Sequence, residues 1–285
     1  MRAIIDGAAT TAAIGSTILV ILPLIAIFVY LVYKGASSLN LAFFTQIPKP
    51  EGEVGGGMAN AIVGSAVLLG IASLIGIPMG IGGGIFLAEF GRGTKLANAI
   101  RFTADVLNGV PSIVMGVAAY ALIVSPQHSI IPFSGHFSAF SGGVALGIMM
   151  IPTVCRTTEE MLLMVPHAVR EAALALGVPN WRSVLAITVK TASPGIITGC
   201  MLAFARVAGE TAPLIFTALG NAFWSTSLNS PIAALPLQIY IYAISPYDDQ
   251  HRLAWAGALV LICLIVLAVS LVRYVTSRGV LKGAS

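Results

Sequence analysis

The chain has 285 residues, of which 57% are apolar and only 9% charged, with a formal charge of +4 and a mean hydropathy of +0.94. Soluble domains carry roughly 25% charged residues, so an ordinary soluble fold is excluded. The basic residues are too few and too scattered for a nucleic-acid footprint, which leaves the lipid bilayer as the first partner.

Apolar stretches of about 20 residues, each enough to cross a hydrocarbon core about 30 Å thick, recur along the chain. The first covers residues 11–33; it is too long for the apolar region of a signal peptide, and further spans follow it. Residues 34–59 bring aromatics and then a Pro/Gly stretch that cannot be helical, read as a structured external lip. The second span covers residues 60–88 and contains GIPMGIGGG at 76–84, suited to close helix packing rather than to a phosphate cradle. The third, residues 102–124, is interrupted by Asn108, Gly109, Val110, Pro111 and Ser112. The fourth covers residues 141–155 and can extend toward 164; the fifth covers 194–219. Residues 231–245 are apolar, but their shortness and prolines favour an interfacial or re-entrant element over a seventh span. The sixth span covers residues 253–276. The expected fold is all-α, a polytopic transmembrane bundle of six spans, with residues 1–58 forming the first span and lip and 59–285 the core.

Six spans place both termini on one side. That side would hold Arg2, Arg92, Lys95, Arg101, Arg156, Arg170, Arg182, Lys190, Arg273, Arg278 and Lys282, against Lys34, Lys49 and Arg252 on the other. Lys and Arg concentrate in cytoplasmic loops, so both termini are expected in the cytoplasm.

Charge inside a span is costly and usually faces a pathway or a partner. Arg206 and Glu210 lie in the fifth span at a four-residue spacing that puts them on one helical face. Two readings stand: an internal ion pair, or an anion pathway in which Arg206 supplies positive charge and Glu210 holds it. Guanidinium suits an oxyanion because its planar fork makes paired hydrogen bonds. Gly109 and Pro111 either kink the third span or break it. A break would start a new helix near Pro111, whose free N–H groups and the Ser112 hydroxyl could face an anion, with Asn108 beside them. Asp105 lies a turn earlier, near the cytoplasmic end.

Other chemistry finds little support. Cys155, Cys200 and Cys263 have no metal or redox spacing, and His128, His136, His167 and His251 have none either. The sequence has no GxxxxGK[ST] phosphate-binding loop, so any dependence on ATP needs a separate subunit. A membrane enzyme and a non-transporting membrane scaffold are the readings from other classes. The first lacks a converging catalytic set, and the second has little reason to bear intramembrane charge.

Between the fourth and fifth spans, residues 156–190 are the most polar stretch, read as two short helices. The first ends before Gly177, which suits the left-handed position after a helix; Asn180 is placed to cap the second. Ala172, Ala173, Ala175 and Leu176 give the first helix a small, partly apolar surface. Glu171, Ala172 and Ala173, then Gly177 and Ile187 at the spacing found here, resemble the EAA loop of ABC-importer permeases. The pattern departs at Val189 and Lys190, where that family has Leu-Pro. The resemblance implies a type I ABC importer permease fold whose loop (Glu171, Ala172, Ala173, Gly177) docks on an ATPase subunit.

GVPSIVMG, RVAGETAPL, the outer FFTQIPKPEGEVGGGMANAIVGS and LPLQIY together resemble the PstA-type phosphate-importer permeases. That resemblance implies inorganic phosphate as substrate, and implies that Arg206 and Glu210 belong to its pathway. It also implies a second permease of the PstC type, two ATPase subunits of the PstB type and an external phosphate-binding protein of the PstS type. ATP and Mg would sit on the ATPase subunits, with no cofactor on this chain, in a bacterial inner membrane. Molybdate, sulfate or phosphonate is the nearest alternative substrate.

Overall fold

In the computed structural model, which describes residues 2–50, 52–126, 135–225 and 227–282, the chain is almost wholly helical. His128 lies outside the described residues, as do the side chains of Arg2, Arg278 and Lys282. The helices are α1 (Arg2–Ala36), α2 (Leu41–Thr45), α3 (Ala59–Ile85), α4 (Lys95–Gly109), α5 (Ser112–Ala119), α6 (Ala139–Leu163) and α7 (His167–Ala175). They are followed by α8 (Asn180–Ser183), α9 (Val189–Ala208), α10 (Ala212–Thr217), α11 (Leu235–Ala243) and α12 (Asp248–Lys282). Wider π turns close α3 at Phe86–Phe90, extend α5 over Tyr120–Val124, and join α8 to α9 over Val184–Thr188. Among the described residues, five helices are long and apolar enough to cross a membrane; the bent pair α4–α5 brings the number up to six.

The centre of the bundle is the packing of α3 on α6. It depends on a stripe of glycines four residues apart, which lets the two backbones approach as side chains could not. A Cβ added at Gly76, Gly80 or Gly84 would lie 2.7, 2.6 or 2.5 Å from the Cβ of Met150, Val154 or Thr158. The glycine run is thus a packing surface. Around it, Leu68, Leu146, Met150, Val154, Ile196 and Leu214 form the main core.

Among its described side chains, α1 leans on the rest near its end, where Leu31 and Gly35 are buried and Tyr30 meets Trp255 of α12 edge to face at 5.3 Å. The lip is ordered by α2. Asn40 caps it by accepting from the Phe43 N–H at 2.8 Å, and Phe43 is fully buried. The Met58 N–H then donates to the Phe43 carbonyl at 2.9 Å, which closes the Pro/Gly stretch back onto α2.

Of the two readings of the third span, the break holds: α4 and α5 are bent by 110°. The fourth takes its longer form, from Ala139 to Leu163, with Pro152 accommodated inside α6. Other sequence expectations need correction. The fifth begins far earlier than residue 194, since helix continues from Asn180 to Ala208 through the π turn. No proline stands at 189–190 to stop it, and Pro194 is carried within α9. The second helix of the polar loop is therefore the start of that span. Asn180 is its first residue, not its cap; Pro179 holds the cap position and no side chain bonds there.

Residues 231–245 hold α11, whose nine residues rise only about 14 Å, too short to cross. The segment is packed inside the protein, with Ile232, Ala233, Ala234, Leu235 and Leu237 buried. Its irregular backbone finds partners there, as non-helical chain at membrane depth must. The Leu235 N–H donates to Ser65 Oγ at 2.7 Å, and Leu219 pairs with Ile232 in an isolated parallel bridge. Nearby, Asn60 Nδ2 donates to the Asn221 and Ala222 carbonyls at 2.9 and 3.1 Å.

Candidate translocation pathway and coupling surface

Two helix breaks frame the candidate pathway. At the first, Val110 is extended (φ −71°, ψ 132°) because the following proline disfavours helical backbone. Pro111 (φ −57°, ψ 137°) supplies no N–H, and α5 starts at Ser112. The interruption in the third span is thus a true break, and Ser112 sits half-buried in the first turn of the new helix.

At the second break, α9 ends at Ala208, Gly209 follows as its cap, and α10 begins at Ala212 with Pro213 in its first turn. The sequence pattern placed Arg206 and Glu210 on one continuous helical face. Instead Glu210 lies beyond the end of α9, its N–H donating to the Val207 carbonyl at 3.1 Å. No ion pair or side-chain hydrogen bond joins Arg206 to Glu210 among the described residues. Arg206 is exposed and Glu210 half-buried, so both present unneutralised charge where the helix stops. The internal ion pair is not formed.

The helices after the two breaks pack on each other. A Cβ at Gly116 of α5 would stand 3.0 Å from the Pro213 Cα and 3.2 Å from the Ala212 carbonyl of α10. Ser112 is one turn before Gly116, and Arg206 and Glu210 flank the other break. The fold therefore gathers both sequence-predicted elements on one part of the molecule.

Asn108 is held in place. Thr153 Oγ1 on α6 donates to its Oδ1 at 2.9 Å. Below it, a ladder of charge that the sequence pattern did not single out joins the same two helices. Arg156 pairs with Asp105 at 2.9 Å and with Glu159 at 2.6 Å, and Glu159 also accepts from Arg101 Nε at 2.6 Å. Asp105 is thus paired rather than simply solvated. By sequence pattern Arg101 and Arg156 are cytoplasmic loop charge; in the fold they join α4 to α6. The available signal was the i, i+4, i+7 stripe of Arg101, Asp105 and Asn108.

The candidate coupling surface is α7 and the turn after it. Gly177 has φ +76°, and its N–H donates to the Leu174 carbonyl at 2.9 Å while that of Val178 reaches the Ala173 carbonyl at 3.2 Å. This paired closure needs left-handed backbone, which glycine adopts without steric cost. Glu171, Ala172, Leu174 and Leu176 are exposed, and Trp181 adds an exposed aromatic beyond the turn. Ala173 is the exception: expected on the surface, it is buried against the body. Arg170, also missed, anchors the helix by donating from Nε and Nη2 to Glu89 at 3.1 and 2.6 Å.

Over 247 residues the chain is 47% identical to the phosphate transport system permease protein PstA of Yersinia pestis, covering 87% of this chain and 81% of that one. Its fold is similar to that of a bacterial ABC transporter involved in the import of the acidic polysaccharide alginate, with a TM-score of 0.57 and 15% identity over 91% of this chain and 94% of that one. It is also similar to the MetNI methionine ABC transporter in an inward-facing conformation, with a TM-score of 0.55 and 19% identity over 79% of this chain and 96% of that one. These neighbours give the architecture, that of a type I ABC importer permease. A family profile described as the binding-protein-dependent transport system inner membrane component matches residues 80–279, and the chain belongs to that family.

Proposed function

We propose that this chain is the permease subunit of an ATP-driven importer of inorganic phosphate and lines half of its translocation pathway. The observation that carries the reading is the pair of packed helix breaks: Arg206 and Glu210 stand at one without pairing to each other, and Asn108, held by Thr153, and Ser112 stand at the other. A half-pathway with unneutralised guanidinium suits a dianionic oxyanion. The similarity to PstA of Yersinia pestis supports phosphate as that oxyanion.

Membership of the family makes the chain a multi-pass inner-membrane protein that works with ATPase and substrate-binding partners. The finer assignments are part of the proposal: a PstC-type permease completes the pathway, two PstB-type subunits carry ATP and Mg, and a PstS-type protein delivers phosphate outside. Both termini lie in the cytoplasm, on the side of most basic residues. The exposed α7 with Glu171, Ala172 and the Gly177 turn docks on an ATPase subunit. No covalent chemistry falls to this chain, whose role is to present the pathway and change which side is open.

Uptake of labelled phosphate by the assembled complex in vesicles, with the binding protein outside, tests this. Phosphate uptake that excess sulfate, molybdate or phosphonate does not suppress is expected. Preferential uptake of one of those oxyanions would overturn the substrate.

A further inference from the structure

The C-terminal turn of α3 gathers arginines from three places. A helix C-terminus leaves carbonyls without intrahelical partners and carries partial negative charge, so cations are favoured there. Arg92, just past the turn, donates from Nε to the Ala88 carbonyl at 2.6 Å. Arg101 on α4 donates from Nη2 to the Leu87 carbonyl at 3.0 Å. Arg170 on α7 pairs with Glu89 at 2.6 Å, with side-chain exposures of only 12% and 8%. The same guanidinium also donates to the Leu162 and Val165 carbonyls at the end of α6, at 2.7 and 2.9 Å.

These contacts connect two parts of the molecule with different roles. Arg170 belongs to the helix that faces the ATPase. Arg101 belongs to α4, the helix that ends at the Gly109–Pro111 break. Arg101 also bonds Glu159, which is almost fully buried on α6. Charge-assisted hydrogen bonds of this kind are directional, and burial of the Arg170–Glu89 pair protects it from the screening that weakens surface pairs.

We propose that the Phe86–Phe90 turn is the transmission node of the transporter. Through Arg170 and Glu89 it receives movement of α7, and through Arg101 it passes that movement to α4 and so to the broken pathway helix. Glu89, Arg101 and Arg170 are positioning residues: they touch no substrate, and they make α7, the end of α3 and α4 move as one body. The inference rests on the transporter reading above.

The test uses the full complex in proteoliposomes, comparing Glu89→Ala and Glu89→Gln, the latter keeping a hydrogen-bond acceptor. Uptake per ATP hydrolysed is expected to fall about tenfold for Glu89→Ala and less for Glu89→Gln, with complex yield and ATP hydrolysis kept. An unchanged ratio overturns the node, as does a parallel loss of hydrolysis, uptake and assembly, which marks a purely structural role. A second readout does not depend on substrate. Spin labels go at Leu96 on α4 and Ala168 on α7, in a background with Cys155, Cys200 and Cys263 replaced. Their separation is expected to change by less than about 2 Å through the nucleotide cycle in the otherwise native chain, and by more in Glu89→Ala. A larger change with Glu89 intact overturns the proposal. Should the native complex take up no phosphate, the substrate reading fails and the label distances alone decide the node.

Discussion

Thr153 on α6 donates its hydroxyl to the side-chain carbonyl of Asn108 on α4 at 2.9 Å, one residue before Gly109 opens the break. The bond fixes the last turn of α4 against a long core helix. It also turns the oxygen of Asn108 toward Thr153 and leaves its amide N–H donors for other partners, which is the polarity an anion requires.

Thr153→Val removes the donor at nearly constant volume and leaves the Asn108 oxygen without its partner. A cost of about 1 kcal/mol is expected, seen as a small drop in melting temperature of the purified complex and a severalfold slower uptake. Thr153→Val and Asn108→Ala should be strongly non-additive, because both break one bond. Fully additive effects on uptake would show that Asn108 acts independently of Thr153.

The glycine stripe gives a stability prediction with a built-in control. Gly80→Ala places a Cβ 2.6 Å from that of Val154, so α3 and α6 must separate. A loss of about 1–3 kcal/mol is expected, read as a lower thermal midpoint in detergent. Gly82 has nothing within 4 Å of an added Cβ, and Gly82→Ala should be neutral or slightly stabilising. Equal effects at the two positions would mean that the stripe does not set the helix separation.

The contrast between Gly80 and Gly82 also shows what the sequence could tell. Length and apolarity announce each long helix, because crossing a bilayer demands both in one continuous run. Gly109 and Pro111 announce a break for local reasons, but the 110° turn depends on where α5 packs against α10. The end of α9 after Ala208 was signalled only in part: Gly209 and Pro213 weaken the helix on either side of Glu210, but packing decides that it stops. Pro194 misled in the opposite way: proline suggested a boundary, yet the helix carries it inside. The pairing of Glu159 with Arg101 was illegible because α4 and α6 are distant in sequence, whereas Arg156 stands three residues from Glu159 on α6 and that pair was open to a helical reading.

Gly177 tests the coupling surface. Its φ of +76° costs an alanine roughly 1–2 kcal/mol, whereas proline cannot adopt it at all and loses the N–H donated to Leu174. Co-purification of the ATPase should weaken in Gly177→Ala and fail in Gly177→Pro, while the permease still reaches the membrane. Normal ATPase recovery with Gly177→Pro would move the docking site elsewhere.

The orientation is open to a direct check. A reporter fused after Ser285 should be active only if it works in the cytoplasm, since most basic residues would then face inward. Activity of an exported reporter at that position would reverse the assignment and place α7 on the wrong side for an ATPase.

The most direct measurement is phosphate uptake by Arg206→Gln and Arg206→Lys in complexes that retain their ATPase. Arg206 is exposed at the end of α9 with no partner among the described residues, so its removal should leave folding intact. Uptake at least about tenfold lower for Arg206→Gln, with partial recovery for Arg206→Lys, is the expected result, because the charge returns without the planar fork. Unimpaired uptake by Arg206→Gln would contradict the anion pathway.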